Sequence, residues 1–151
     1  MIKSILSNRY VELALRLLLG LVFLFASIDK ISNPTAYATA ITNYKLISGP
    51  TAMLLATALP WVELLCAIAV LSGIFRQGAT LLLLLMLSVF TIAVITGLIR
   101  GLDISCGCFT LDPHVNRIGW QKVLENLGLI LASTVLFYSK HSDFVLKHYS
   151  Q

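Results

Sequence analysis

Polar residues in this chain are confined to a few short intervals, and apolar residues run almost unbroken between them. The first apolar run covers about residues 10–28 and is interrupted by Glu12 and Arg16. The second covers about 51–74, with Pro60, Glu63 and Cys66 inside it. The third, about 78–99, carries no charge and includes the leucine run 81–85. The fourth, about 123–138, is the shortest and has Glu125 and Asn126 near its start. The longer runs come close to the roughly 20 residues that carry an α-helix across hydrocarbon. Only helices and closed barrels satisfy their backbone in lipid, and none of the runs alternates as a barrel strand does. The pattern predicts an all-α fold, one domain over residues 1–151: an integral membrane four-helix bundle.

The connections differ in character. Between the first two runs, Asn33-Pro34 reads as an N-cap followed by proline at the first helical position. Tyr37, Ala40, Ile41 and Tyr44 then recur at helical spacing. Residues 34–45 are therefore expected to form a short interfacial helix with its tyrosines at headgroup level. The next link is tight, with Arg76 and Gln77 as its polar tip. The long connection 100–122 holds most of the remaining polar residues, and the stretch from Lys140 reads as a polar tail. Lys3 and Arg9 precede an apolar run as in a secretory signal, but Glu12 and Arg16 interrupt it and the residues after it form a poor cleavage site. The first helix is read as retained.

Composition sharpens this picture. The chain has 151 residues, 58% hydrophobic and 12% charged, with a mean hydropathy of +0.88. A soluble domain carries about 25% charge, so lipid must cover much of this surface. The net charge of +4 suits contact with lipid headgroups. There is no basic run interleaved with aromatics, which argues against nucleic acid as a partner. Lysine and arginine divide evenly between the two ends of the bundle, so charge bias does not orient it. A thiol pair is of most use on the oxidising side of a membrane, which places the long connection outside and both termini in the cytoplasm.

Candidate chemistry lies in two places. Glu63 falls near the middle of the second run, where an unpartnered carboxylate is costly. Arg16 comes to a similar depth when counted from the same face, so an Arg16–Glu63 pair is expected. It serves either to fix helix register or to line a polar cavity that takes a proton or a ligand headgroup. The second place is Ser105-Cys106-Gly107-Cys108-Phe109. A Cys-Gly-Cys disulfide closes a small ring, and exposed, strained disulfides are the labile ones. Arg100 and Arg117 would favour the thiolate and Asp103 would oppose it; His114 is the nearest imidazole and a candidate base. A static staple and a soft-metal site using Cys106, Cys108 and His114 are the other readings, although zinc-site spacing is absent. Cys66 is too far from the pair to bridge to it and reads as a small core residue. Pro60 is expected to kink its helix; Trp61 and Trp120 read as packing or belt residues, and Asn126 as interhelical glue.

Several of these elements together resemble the DoxX-like superfamily, and within it the branch of the methylamine-utilisation membrane protein MauE. They are Leu15-Arg16-Leu17-Leu18-Leu19-Gly20, Asp29-Lys30, Leu59-Pro60-Trp61-Val62-Glu63-Leu64 with Gly73 after it, Cys106-Gly107-Cys108-Phe109, and Trp120 with Asn126. The resemblance covers 16–136, and the Cys-Gly-Cys-Phe element is its most specific part. Thr110 after that element and Ser105 before it depart from the usual neighbours. The resemblance implies a bacterial inner-membrane protein that supports disulfide formation in periplasmic proteins. By the resemblance Cys106 and Cys108 would be the redox pair and Arg16 and Glu63 the intramembrane polar element; from the residues themselves, Lys30 is a further candidate for that element, and Asp103 and His114 are candidates for tuning the thiols. The expected function is thiol–disulfide exchange with a thioredoxin-like or substrate protein, with a quinone as one candidate acceptor of the electrons. A non-enzymatic subunit that holds a quinone, a lipid or a partner helix, alone or as an oligomer, is the competing expectation.

Overall fold

The structure, a computed structural model, describes residues 9–102 and 119–139, and every regular element among them is a helix. These are α1 (Arg9–Ser32), α2 (Pro34–Asn43), α3 (Pro50–Ser72), α4 (Arg76–Ile99) and α5 (Trp120–Tyr138). Three of them are long and apolar enough to cross a membrane: Tyr10–Ser32, Pro50–Ser72 and Arg76–Ile99. The fourth apolar run also forms a helix, α5, of 19 residues. α1 packs on α3, α3 on α4, α4 on α5, and α5 returns to α1, while α2 lies against α3 and α1. Leucines and isoleucines on the outward faces, such as Leu54, Leu65, Leu82 and Ile92, remain exposed. In water such a surface would drive association; in lipid it is the expected one.

The helix ends follow local chemistry. Pro34 opens α2 as anticipated, but the Asn33 side chain makes no capping bond; its carbonyl accepts from Tyr37 N–H at 3.1 Å instead. α3 ends at Gly73, whose φ of 81° is a left-handed conformation open to glycine at little cost. Its N–H closes on the Ala69 carbonyl at 2.9 Å. Phe75, also left-handed at φ 51°, completes the reversal into α4. Pro60 sits inside a helix assigned without a break.

The core is assembled at helical spacing. Leu19 and Phe23 of α1 meet Cys66, Ala67 and Val70 of α3, Ala79, Leu83 and Leu87 of α4, and Leu136 of α5. Small buried residues on α3, namely Ala52, Ala56 and Ala67, let its backbone come close to its neighbours, as intramembrane packing favours. Gly20 of α1 makes room for the Leu71 side chain of α3. A Cβ there would lie 2.3 Å from Leu71 Cγ, so these two residues set the register of the antiparallel pair.

Candidate functional site: a buried ion pair at one end of the helices

From the Gly20–Leu71 contact, ten residues along α1 and eight back along α3 bring Lys30 beside Glu63. Helical side chains lean toward the N-terminus of their own helix, so in this antiparallel pair the two lean toward each other. Lys30 Nζ donates to Glu63 Oε1 at 2.9 Å and to Oε2 at 2.7 Å, and each side chain is 1% exposed. The expected Arg16–Glu63 pair is therefore corrected. By the same register Arg16 comes opposite the end of α3, not its middle. Its Nε donates to the Val70 carbonyl at 3.1 Å and its Nη2 to the Leu71 carbonyl at 3.0 Å. These carbonyls belong to the last turn, which has no helical donors left for them, and a cation there also complements the helix dipole. Gly73 completes this cap, since a Cβ would lie 2.5 Å from Arg16 Nη2. Replacing Gly73 by alanine is expected to cost about 1–2 kcal/mol of left-handed strain plus displacement of Arg16. In an Arg16→Met background the displacement part should vanish, which unfolding titrations of the two single variants and the double variant in detergent would show.

Aromatic rings wall the ion pair. Lys30 Nζ lies 5.1 Å from the centroid of Tyr37 and 5.4 Å from that of Phe90, within cation–π range. The apolar face predicted for α2 is real, but it points inward. Tyr37 and Tyr44 are 1% and 6% exposed, so the expectation of headgroup-level tyrosines is overturned. Burial raises the Tyr37 hydroxyl pKa, and the nearby Glu63 charge adds to this. Burial pushes Tyr44 up to about 12. Because the folded value is raised, this neutral phenol weakens the fold only above its unfolded pKa. Stability is expected to fall between about pH 10 and 12 by roughly 2–3 kcal/mol. A Tyr44→Phe variant should lose that part of the slope in alkaline unfolding curves.

Asn126 of α5 is 1% exposed, and among the described residues neither of its amide atoms finds a partner, so the interhelical bond expected of it is not seen there. The Tyr37 hydroxyl is likewise buried and unpartnered. Cys66 is a free, buried cysteine inside the core cluster, as expected. Trp61 and Trp120 are 53% and 69% exposed, so neither is packed inside the helices. On the other side of Tyr37 and Phe90 lies a groove of about 310 Å³, lined also by Leu55, Leu59, Met86 and Val89.

The two ends of the helices are tied differently. At the Lys30 end, Arg100 Nη1 donates to the Tyr44 carbonyl at 3.0 Å, joining the C-terminus of α4 to that of α2. Tyr44, Val94 and Val123 form a second buried cluster there. At the far end Arg76, expected as an exposed loop tip, is 3% exposed and begins α4. Its Nη1 donates to Glu12 Oε1 at 2.6 Å and its Nη2 to the Ser139 carbonyl at 2.5 Å, while Ser139 Oγ donates to Glu12 Oε2 at 3.2 Å. Sequence reasoning missed this tie of α1, α4 and α5. Cys106, Cys108, Asp103 and His114 lie outside the described residues. They belong to the connection between α4 and α5, which leaves and re-enters at the Lys30 end. Among the described residues no group of three histidine, cysteine or acidic side chains is placed to hold a metal.

Comparison with known proteins gives this architecture a family. The profile described as methylamine utilisation protein MauE matches residues 8–139. The chain is 32% identical to methylamine utilization protein MauE of Methylophilus methylotrophus, over 84% of this chain and 67% of that protein. It is 29% identical to the protein of the same name from Methylorubrum extorquens, over 88% and 72%, and 28% identical to that of Paracoccus denitrificans, over 77% and 62%. The chain thus spans about two thirds of the length of these relatives. No solved structure matches it significantly. This chain belongs to the family of methylamine utilisation protein MauE.

Proposed function

We propose that this chain is a multi-pass inner-membrane thiol–disulfide redox protein, accessory to methylamine utilisation, in which Cys106 and Cys108 exchange with a periplasmic protein. In this reading α5 is the fourth span, both termini are cytoplasmic and the wider kinship is with DoxX-like proteins. The observation that carries it is the Cys-Gly-Cys element in the connection between two helices whose ends are pinned, α4 through Arg100 to Tyr44 and α5 through Val123 to the same cluster. A short-spaced thiol pair in the connection between two such helix ends suits exchange with a second protein. A partner thiolate attacks one sulfur of the Cys106–Cys108 disulfide and releases the other as a thiolate. The partner's second thiolate then resolves the mixed disulfide, leaving the partner oxidised and the pair reduced by two electrons. Restoring the disulfide would take an acceptor of two electrons and two protons, for which a quinone in the bilayer is one candidate and a soluble partner another. Asp103 and His114 are assigned the tuning of the thiols.

The test is trapping with a thiol label in cells that depend on this protein for growth on methylamine. The wild type is expected to show a mixture of oxidised and reduced pair, reached by a label that does not cross the membrane. Cys106→Ser and Cys108→Ser should each abolish growth. Normal growth of both variants would overturn the proposal. It would favour the second reading, a non-enzymatic holder of lipid or quinone, for which the lipid-accessible groove beside Tyr37 and Phe90 is the specific support.

A further inference from the structure

We infer that Glu63, Lys30, Tyr37 and Asn126 form a proton-exchange site inside the membrane, with Glu63 taking up and releasing the proton and internal water carrying it. This inference is independent of the cysteine chemistry.

The starting point is the set of open hydrogen-bonding positions. Both amide atoms of Asn126 and the hydroxyl of Tyr37 are buried without a partner, although buried polar groups are almost always satisfied by protein or by ordered water. Two registers bring Asn126 to the level of the ion pair. Val123 shares a packed cluster with Val94, so one turn farther in Asn126 reaches the level of Phe90, the ring beside Lys30. Along α1, the Ser139–Glu12 contact sets Asn126 level with 25–27, and the Lys30 side chain leans back toward that level. A carboxylate has about four acceptor positions, and the two bonds from Lys30 leave the others open. Asn126, Tyr37 and Glu63 together supply the two to four polar partners that a buried water requires.

The aromatic wall explains why the site can change protonation without collapsing. When a hydronium ion gives its proton to Glu63, an O–H bond forms on the carboxyl, water is left, and Lys30 alone keeps its charge. An ammonium without a counter-ion in this interior would be costly. Here the Tyr37 and Phe90 rings, at 5.1 and 5.4 Å, continue to hold it. Among the described residues, the charged and titratable groups near Glu63 are Lys30 from α1, which has Asp29 beside it in turn, Tyr37 from α2, and Cys66 one turn along α3. At this level α4 and α5 present Phe90, Thr91 and Asn126, none of them titratable, and Lys122 and Glu125 on the adjacent turn pair with each other at 2.8 Å.

The experiment is infrared difference spectroscopy of the full chain in lipid nanodiscs, titrated with acid and compared in H2O and D2O. A protonated-carboxyl band should grow reversibly on acidification, shift on deuteration while the helices stay folded, and vanish in Glu63→Gln. If that variant does not fold, the wild type grown with ¹³C-glutamate shows whether the band belongs to a glutamate. Asn126→Leu is expected to keep the helices and to slow deuteration of the band. Absence of any glutamate carboxyl band from the folded chain would overturn the inference. So would deuteration no faster than that of the α3 backbone, or exchange unaltered in Asn126→Leu.

Discussion

Replacing Glu63 by leucine while Lys30 remains is expected to destabilise the protein by roughly 3–5 kcal/mol, the usual consequence of leaving one half of a buried ion pair. The neighbouring rings hold part of the lysine charge, so the lower half of that range is the closer expectation. The double variant Lys30→Met with Glu63→Leu should recover most of the loss, because two apolar side chains fill the space with nothing left to desolvate. Unfolding of all three variants in mixed micelles gives the coupling directly. If the two single losses simply add, the 2.7 Å contact contributes nothing and the pair is not the organising feature of that end.

The second large effect is expected at the opposite end. Arg76→Leu removes the donor to both the Glu12 carboxylate and the Ser139 carbonyl, leaving a buried charge and a buried carbonyl open. A loss of about 3 kcal/mol follows from charged hydrogen bonds of this kind. The damage should also be local, loosening the far end of α5 from α1. Hydrogen exchange should therefore rise at the C-terminal turn of α5 and stay unchanged around Lys30. Arg76→Leu and Glu63→Leu should be additive in free energy, since the two clusters share no partner. A strong coupling between them would mean that the helices move as one rigid unit.

The sequence showed the helices clearly and the polar contacts poorly, for a physical reason. Long apolar runs force backbone hydrogen bonds to close within the segment, so each run became a helix whose bounds shifted by only a few residues. The pairing error began with one of those shifts. With the first helix ended at residue 28, Lys30 falls beyond the expected span, and Glu63 is matched with Arg16 instead. In the structure α1 runs on to Ser32, which carries Lys30 around to the buried face of Phe23, Ala26 and Ser27. Its spacing from Leu19, Phe23 and Ala26 was the available signal. Arg16 was misassigned because depth was counted from segment ends, whereas register is set by the Gly20–Leu71 contact, which is visible only in three dimensions. Arg76 read as a loop tip because a charge beside glycine and glutamine resembles solvent-exposed sequence, and its partners lie 64 and 63 residues away. The inward turn of the α2 tyrosines was equally hidden, since amphipathic spacing identifies a face without saying what covers it.

The Lys30–Glu63 pair also constrains how the chain is made. Its members stand 33 residues apart on different helices, and a ribosome delivers the lysine first. Near the end of α1 this long side chain can reach toward water until its mate arrives. The glutamate has no such refuge halfway along α3, so the second span can settle only against a first span already in place. Insertion of this protein is therefore expected to be ordered by charge, with the early helix acting as the template for the later one.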